Sequence, residues 1–332
     1  MSDIHLSLLN DFQRGFPLIP APFDVISDRL GMGVEELLDT LRRLVREGVV
    51  SRVGAVFRPN RIGVSTLAAM AVPAARLADV AQRVNRHPEI NHNYEREHRF
   101  NLWLVATAAN AAHLDRVLHD IEQEAGLRIM RLPMVQDYHI DLGFDLRATV
   151  ALADLRSMKG PAANTGQSLD AQDYALIAAI QDGLPLVTRP YAAIGTIAGL
   201  SEAEVLLRLE HLLNQDIIKR FGIVVRHHEL GFRANAMVVW NIPDERIDEL
   251  GRCTGASGLV NLCYQRPRHL PDWPYNLFAM IHGKDRAAVM ERLVLLREQC
   301  GLKDFEHEVL FSKQRFKQTG AHYVEAQCEK AA

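Results

Sequence analysis

The chain has 332 residues, 48% hydrophobic and 24% charged, with a net charge of −3; it is too long for one ordinary core and suits two to four domains of a soluble globular protein. The near-neutral balance argues against a large basic nucleic-acid surface, and no apolar run approaches the roughly 18 to 20 residues of a membrane helix. Residues 1–10 lack the basic start and apolar stretch of a signal peptide, and Cys253, Cys263, Cys300 and Cys328 form no C-x-x-C pair, so reduced thiols in a cytoplasm and no metal site are expected.

The first elements are three short helical patterns. Leu6 to Phe12 precedes a Pro-rich turn, Phe23 to Leu30 follows it, and Val34 to Glu47 carries Leu37, Leu38, Leu41, Leu44 and Val45 on one face at helical spacing. Gly48 stops that helix, and Val49 to Phe57 alternates into a strand pair. This is the pattern of a winged helix-turn-helix. Strands follow at Leu67 to Val72, Ile90 to Tyr94, Leu102 to Thr107 and Arg128 to Ile140, with helices at Ala75 to Asn85 and Ala111 to Glu124. Helices on one face of such a four-stranded antiparallel sheet make a ferredoxin-like βαββαβ fold.

The same order then recurs. Gly15-Phe16-Pro17-Leu18 aligns with Gly183-Leu184-Pro185-Leu186, Gly54 with Gly222, Arg58 with Arg226 and Gly63 with Gly231, all 168 positions apart. In the second copy the helices fall at Tyr174 to Ile180, Tyr191 to Ile197 and Glu202 to Leu213, the last with Ser201 as its N-cap, and Ile217 to Val225 is the wing strand. Strands at Ala236 to Asn241, Leu259 to Tyr264, Asn276 to His282 and Asp304 to Ser312 and helices at Glu245 to Cys253 and Arg286 to Gln299 complete it. The expected fold class is α+β, a tandem repeat of winged helix-turn-helix plus ferredoxin-like domain. Its boundaries are 1–63 and 64–157 in one half, a linker at 158–168, and 169–232 and 233–332 in the other, the halves pairing as a pseudo-dimer within the chain.

One loop is doubled. Asn91, Tyr94 and Arg96 match Asn261, Tyr264 and Arg266, 170 positions on; the register then slips by five, so Asn101-Leu102 matches Asn276-Leu277 and the second copy gains Pro-Asp-Trp-Pro-Tyr. A loop between strands that carries Tyr, Arg, His and Trp twice over is poor core material and good site material.

A winged helix-turn-helix followed by a ferredoxin-like sheet resembles the Lrp/AsnC regulators, which bind DNA through the third helix. The first turns of that helix hold Glu35, Glu36 and Asp39 here, and Glu202 and Glu204 in the second copy. Carboxylates there repel a phosphate backbone, so DNA binding is not expected and a ligand-responsive regulator is the alternative reading. The strings NYEREHRFNLW, DYHIDLGFDL, KRFGIVVRHHELGFRANAMVVW, CYQRPRHLPDWPYNLFAMIHG and LFSKQRFK are more specific. Together they resemble the siroheme decarboxylases, built on the Lrp/AsnC scaffold, in the tandem form that fuses D- and L-type subunits. The resemblance spans nearly the whole chain. It implies removal of the C12 and C18 acetate carboxylates of siroheme, giving 12,18-didecarboxysiroheme for haem d1 biosynthesis. It also implies homologous partner subunits of the NirG and NirH type, with a homo-oligomer as a further option.

That chemistry sets what the residues must supply. Siroheme presents eight carboxylates on a flat iron macrocycle, so its site needs arginine forks and aromatic faces. Arg96, Arg99, Arg266 and Arg268 in the doubled loop and Arg52, Arg58, Arg220 and Arg226 near the wings are candidates for the first, and Tyr94, Trp103, Tyr264, Trp273 and Tyr275 for the second, with His98 and Asn276 beside them. Decarboxylation also needs a proton donor. His227 and His228 follow the second wing strand where the first copy has Pro59 and Asn60. One competent site using His227 or His228 with His269, Arg226 and Tyr264 is therefore expected. His92, His139, His282 and His307 fall in or near strands and are expected to be structural. No cofactor is expected, because no pyridoxal, thiamine or pyruvoyl motif is present and the tetrapyrrole, carrying its own iron, is the electron sink.

Overall fold

The structure, a computed structural model, describes residues 3–140, 169–225 and 234–323. The first copy runs α1 (Asp3–Asp11), α2 (Pro22–Leu30), α3 (Val34–Arg46), β1 (Val50–Phe57), β2 (Val64–Met70), α4 (Leu77–Arg86), β3 (Ile90–Arg96), β4 (Leu102–Ala108), α5 (Ala111–Ala125), β5 (Ile129–Pro133) and β6 (Gln136–Ile140). The second runs α6 (Ala171–Ile180), α7 (Pro190–Ala198), α8 (Glu202–Asn214), β7 (Ile218–Val225), β8 (Ala234–Trp240), α9 (Ile247–Ala256), β9 (Leu262–Gln265), β10 (Leu277–Gly283), α10 (Arg286–Gln299) and β11 (His307–Gln318). Every expected helix is present. The described residues nevertheless gather into two compact units that each draw on both copies, 3–63 with 169–225 and 322–323, and 64–140 with 234–321.

In the first unit the helices form for local reasons. Pro22 and Pro190 open α2 and α7 where an N–H is not needed, Gly31 and Gly199 close them in the left-handed region, and the Ser201–Glu204 capping box starts α8. Leu37, Leu38 and Leu41 of α3 are buried, as are Leu8 of α1 and Phe23 and Ile26 of α2. The expected hairpin within each copy is corrected: β1 pairs antiparallel with β7 of the other copy, Gly54 opposite Gly222. Repeat-equivalent glycines that face one another mark the pseudo-twofold axis. A Cβ on Gly222 would lie 2.4 Å from the Phe12 carbonyl oxygen, so only glycine permits this approach.

The second unit is a nine-stranded sheet in the order β5-β2-β4-β3-β11-β8-β10-β9-β6. Each copy contributes a ferredoxin-like set of four, and each last strand then crosses to the other copy. β11 pairs with β8 through Phe311 and with β3 from Ser312 onward. The strand expected from Arg128 to Ile140 likewise divides, with β5 on β2 and β6 on β9. Tyr138 anchors the transferred β6. Its ring fills the space a Cβ would take at Gly251 of α9, and its hydroxyl donates to Asp248 Oδ1 at 2.7 Å.

Three apolar clusters result. One lies under α9 and α10, one under α4 and α5, and a third joins inward-facing residues of both copies, including Ala69, Trp103, Leu132, Met237, Val239, Trp273, Phe278 and Leu310. The expectation of reduced thiols is also corrected. Cys253 and Cys300 form a disulfide across 47 positions, because α9 and the end of α10 pack on the same sheet face; Cys263 is a free, buried thiol, and Cys328 lies outside the described residues.

Candidate functional site

The two doubled loops, each joining the second strand of a sheet to the third, meet one another. Arg99 bonds the Asp272 carboxylate at 3.0 Å, and the rings of His98, Phe100, Trp103 and Tyr275 lie 5.0–5.9 Å from Trp273. Trp103 and Trp273, expected as open faces, are buried at 2% and 0% exposure, and Trp103 Nε1 donates to the Phe100 carbonyl at 2.6 Å. Burial and the nearby Glu308 and Glu306 push the Tyr275 phenol up to about 12. Asn276 accepts from Ile242 N–H and donates to its carbonyl, both at 2.9 Å, as Asn101 does with Val72. Arg268 is spent on Asp244, Asn241 and the carbonyls of Ile242 and Pro274. These residues shape the loop.

The wing arginines of the first unit also have internal acceptors. Arg52 donates to the Ala55 carbonyl at 2.9 Å, Arg220 to the Gln13 carbonyl at 2.8 Å, and Arg58 pairs with Asp216 at 2.6 Å. Arg226, His227 and His228 lie outside the described residues. His269 Nε2 sits 2.6 Å from the Arg131 carbonyl, an acceptor-only partner that assigns the hydrogen to Nε2.

Two arginines differ from the rest. Arg96, at the end of β3, donates to the Leu310 carbonyl at 3.0 Å and lies 3.9 Å from Met280 Sδ; Arg266, after β9, donates to the Leu132 carbonyl at 2.5 Å and keeps a buried Nε with no partner. Each guanidinium lies over its own tyrosine, at 5.8 Å from the Tyr94 ring centre and 5.2 Å from that of Tyr264. Neither has a carboxylate partner among the described residues. Burial holds each down to about 10, a bias of roughly 3 kcal/mol against the charge that still leaves both cationic at neutral pH. Burial also pushes the Tyr264 phenol up.

From Arg96 a row of polar side chains crosses four strands. Arg96 is opposite Ser312, whose hydroxyl bonds Asn235 Oδ1 at 2.7 Å; Asn235 is opposite His282, whose Nδ1 lies 2.8 Å from Asn261 Oδ1. Burial, then Arg96 and Arg292, bring His282 down to about 4, so it is neutral at pH 7. The repeat places Ser65 where Asn235 stands, Thr107 where His282 stands and Asn91 where Asn261 stands. Thr107 Oγ1 bonds Ser65 at 3.2 Å, and Asn91 Oδ1 is buried without a partner. The flanking strands differ too. Arg315 and Lys317 of β11 are opposite Tyr94 and Asn93, whereas Asp137 and His139 of β6 are opposite Tyr264 and Cys263.

Asn235, Ser312 and Asp137 are not among the residues expected from sequence at the site, and His282 is expected there to be structural. A signal for His282 existed: the alignment of Asn101 with Asn276 carries on to Thr107 against His282, the same kind of imperfection that drew attention to His227 and His228.

Comparison with known proteins gives consistent matches. An AsnC-like ligand binding domain matches residues 61–139 and 229–317, and a siroheme decarboxylase NirDL-like HTH domain matches 6–50 and 173–219. The chain is 43% identical to the siroheme decarboxylase NirDL subunit of Paracoccus denitrificans, covering 98% of both chains. It is 48% identical to the siroheme decarboxylase NirD subunit of Pseudomonas aeruginosa, over 45% of this chain and 99% of that one. The crystal structure of the siroheme decarboxylase NirDL in co-complex with an iron-uroporphyrin III analogue matches with a TM-score of 0.68 at 27% identity, covering 98% of this chain and 95% of that one.

Proposed function

The chain belongs to the siroheme decarboxylases of the fused NirDL type, and from that membership we propose that it removes the C12 and C18 acetate carboxylates of siroheme to give 12,18-didecarboxysiroheme for haem d1 biosynthesis. The observation that carries this reading is the pair Arg96 and Arg266: buried cations, one in each copy, each beside a tyrosine and without a carboxylate partner among the described residues. Burying an unpaired charge costs several kcal/mol. A ligand rich in carboxylates removes that penalty on binding, and siroheme brings eight.

The reaction is redox-neutral. The carbon–carbon bond of an acetate breaks, carbon dioxide leaves, the electron pair passes to the methylene carbon and the conjugated ring, and a proton completes the methyl group. An arginine gripping the departing carboxylate would stabilise the ground state and slow the step. Arg96 and Arg266 therefore hold carboxylates that are retained. Tyr264 and His269, with His227 or His228, are further candidates for contact with the substrate. The DNA-binding alternative has less support, because Glu202 pairs with Arg189 and Glu204 caps Ser201 at the start of α8, where a recognition helix would meet phosphates.

A relative one repeat long is itself named a subunit, which supports action beside homologous subunits of the NirG and NirH type. No helix among the described residues is long and apolar enough to cross a membrane, and the cytoplasm is the compartment proposed. The test is anaerobic incubation with siroheme and mass spectrometry of the extracted tetrapyrrole. Loss of two carbon dioxide units is expected; recovery of unaltered siroheme alone, with and without partner subunits, rejects the assignment.

A further inference from the structure

We propose that His282 is the proton-transfer group of the Arg96 site, and that the Arg266 site, with Thr107 in the equivalent place, holds substrate without supplying that proton. This rests on the decarboxylase reading and departs from the expectation of one competent site using His227 or His228 with His269, Arg226 and Tyr264. Geometry is its first support. Arg96, Ser312, Asn235 and His282 stand in register on β3, β11, β8 and β10, with side chains on one face of the sheet, and Asn261 orients the imidazole at 2.8 Å. An amide oxygen only accepts, so Nδ1 carries the hydrogen and Nε2 is the basic nitrogen.

Electrostatics supply the second support. Among the described residues, the charged groups that shift His282 are Arg96 from β3 and Arg292 from α10, whose guanidinium donates to the His282 carbonyl at 3.1 Å. Both are cations and both disfavour a second positive charge on the imidazole. A substrate carboxylate entering beside Arg96 reverses that balance, and His282 gains a proton at Nε2 as the substrate binds. In siroheme each acetate is next to a propionate on its pyrrole. Arg96 grips the propionate, which is retained, and places the acetate methylene before the imidazolium. When the acetate carbon–carbon bond breaks and carbon dioxide departs, the electron pair left on the methylene carbon takes the Nε2 proton and a methyl group forms. Neutral imidazole is regenerated, and each cycle consumes one proton and no oxidant or reductant.

The third support is the counterpart. Asn91 is preserved in the repeat, yet its Oδ1 has lost the partner that His282 gives Asn261, because Thr107 bonds Ser65 instead. The holding arginine is kept in both copies and the imidazole in only one.

Proton uptake tests the idea apart from turnover. Iron-uroporphyrin III is titrated into the full chain by calorimetry at pH 7 in buffers of different ionisation enthalpy, comparing wild type with His282→Asn, which keeps an N–H for Asn261 and deletes the basic nitrogen. About one proton fewer is expected for the variant, with Kd raised by about tenfold because that proton is linked to binding, and kcat on siroheme falling by about 100-fold or more. Equal uptake in both proteins, or unchanged kcat, overturns the proposal. His282→Gln, judged by the same two readouts, replaces the first variant if that one does not fold. A wild-type protein that leaves siroheme unaltered refutes the decarboxylase reading instead, and the uptake comparison still decides whether His282 titrates with binding.

Discussion

The rows at Arg96 and Arg266 are copies of one ancestral arrangement, and their difference separates holding from chemistry. Each keeps a tyrosine, an arginine bonded to a carbonyl of the other copy, and an asparagine at the start of the second strand. Only the Arg96 row ends in an imidazole, and only it has cations on the neighbouring strand, where the other has Asp137 and His139. Shared ancestry accounts for the common features. The features that diverged are those that move or attract a proton or a charge.

The largest effect is expected from removing the holding charges. Arg96→Gln should raise Kd for iron-uroporphyrin III by about 30-fold or more, the 2–5 kcal/mol typical of a desolvated charge pair losing one partner, and abolish turnover. Arg266→Gln should weaken binding similarly yet leave a measurable kcat at saturating siroheme. If both variants lose kcat to the same extent, the two rows do not divide the work. Next comes the acid limb of stability. His282 is near 4 in the folded chain against 6.5 for a free imidazole, so the unfolded chain binds the extra proton between those values. Stability is full above about pH 6.5 and falls by roughly 3 kcal/mol as pH drops toward 4. Burial also lowers His98 and His307, so the difference between wild type and His282→Asn in urea denaturation isolates this contribution. Parallel pH curves for the two proteins would mean the imidazole is not held neutral by its site.

A smaller effect carries the opposite sign. Arg266 has a buried Nε without a partner and no carboxylate among the described residues, so an apolar side chain of similar length relieves a desolvation cost. Arg266→Met is expected to stabilise the ligand-free protein by about 1–2 kcal/mol while weakening ligand binding, the usual opposition of stability and function at a prepared site. A loss of stability in thermal denaturation would show that the bond to the Leu132 carbonyl outweighs the buried charge.

Much of this architecture was legible because helices announce themselves locally. Pro22, Gly31 and the Ser201–Glu204 box act within a few residues, and the leucines of α3 repeat at the helical period. Strand pairing is decided by residues far apart in sequence, so the alternation from Arg128 to Ile140 gave no sign that β6 leaves its own copy for β9. The same limit hid the β1–β7 pair and the Cys253–Cys300 disulfide. At the site, composition drew attention to the doubled loop and, within it, to Arg96 and Arg266. It failed to distinguish them from Arg268, because a guanidinium bonded to Asp244 and one without a carboxylate are the same letter. Trp273 and Asn276, expected to contact substrate, are both buried, because the composition of a loop does not say which of its polar and aromatic side chains fold inward. Strand position gave His282 a structural reading, and the side chains that stand across from it come from strands far apart in sequence.

The smallest effect concerns the flanking charges, and it sharpens the comparison most finely. Arg315 is exposed and stands across from Tyr94, while Asp137 stands across from Tyr264. Surface charges, whether exposed like Arg315 or half-buried like Asp137, are worth about 0.2–1 kcal/mol and are screened by salt. Arg315→Gln should weaken iron-uroporphyrin III binding by about twofold to fivefold at low ionic strength, and Asp137→Asn should strengthen it to a similar extent. Both changes should fade as salt approaches about 1 M, where the Debye length is near 3 Å. Opposite signs are required, because the ligand is a polyanion and the two positions are copies carrying opposite charge. Absorbance titrations across a salt series read this directly; shifts of the same sign, or shifts that persist at high salt, would mean that these side chains act through strand packing, and the electrical difference between the rows would then play no part in drawing the substrate toward Arg96.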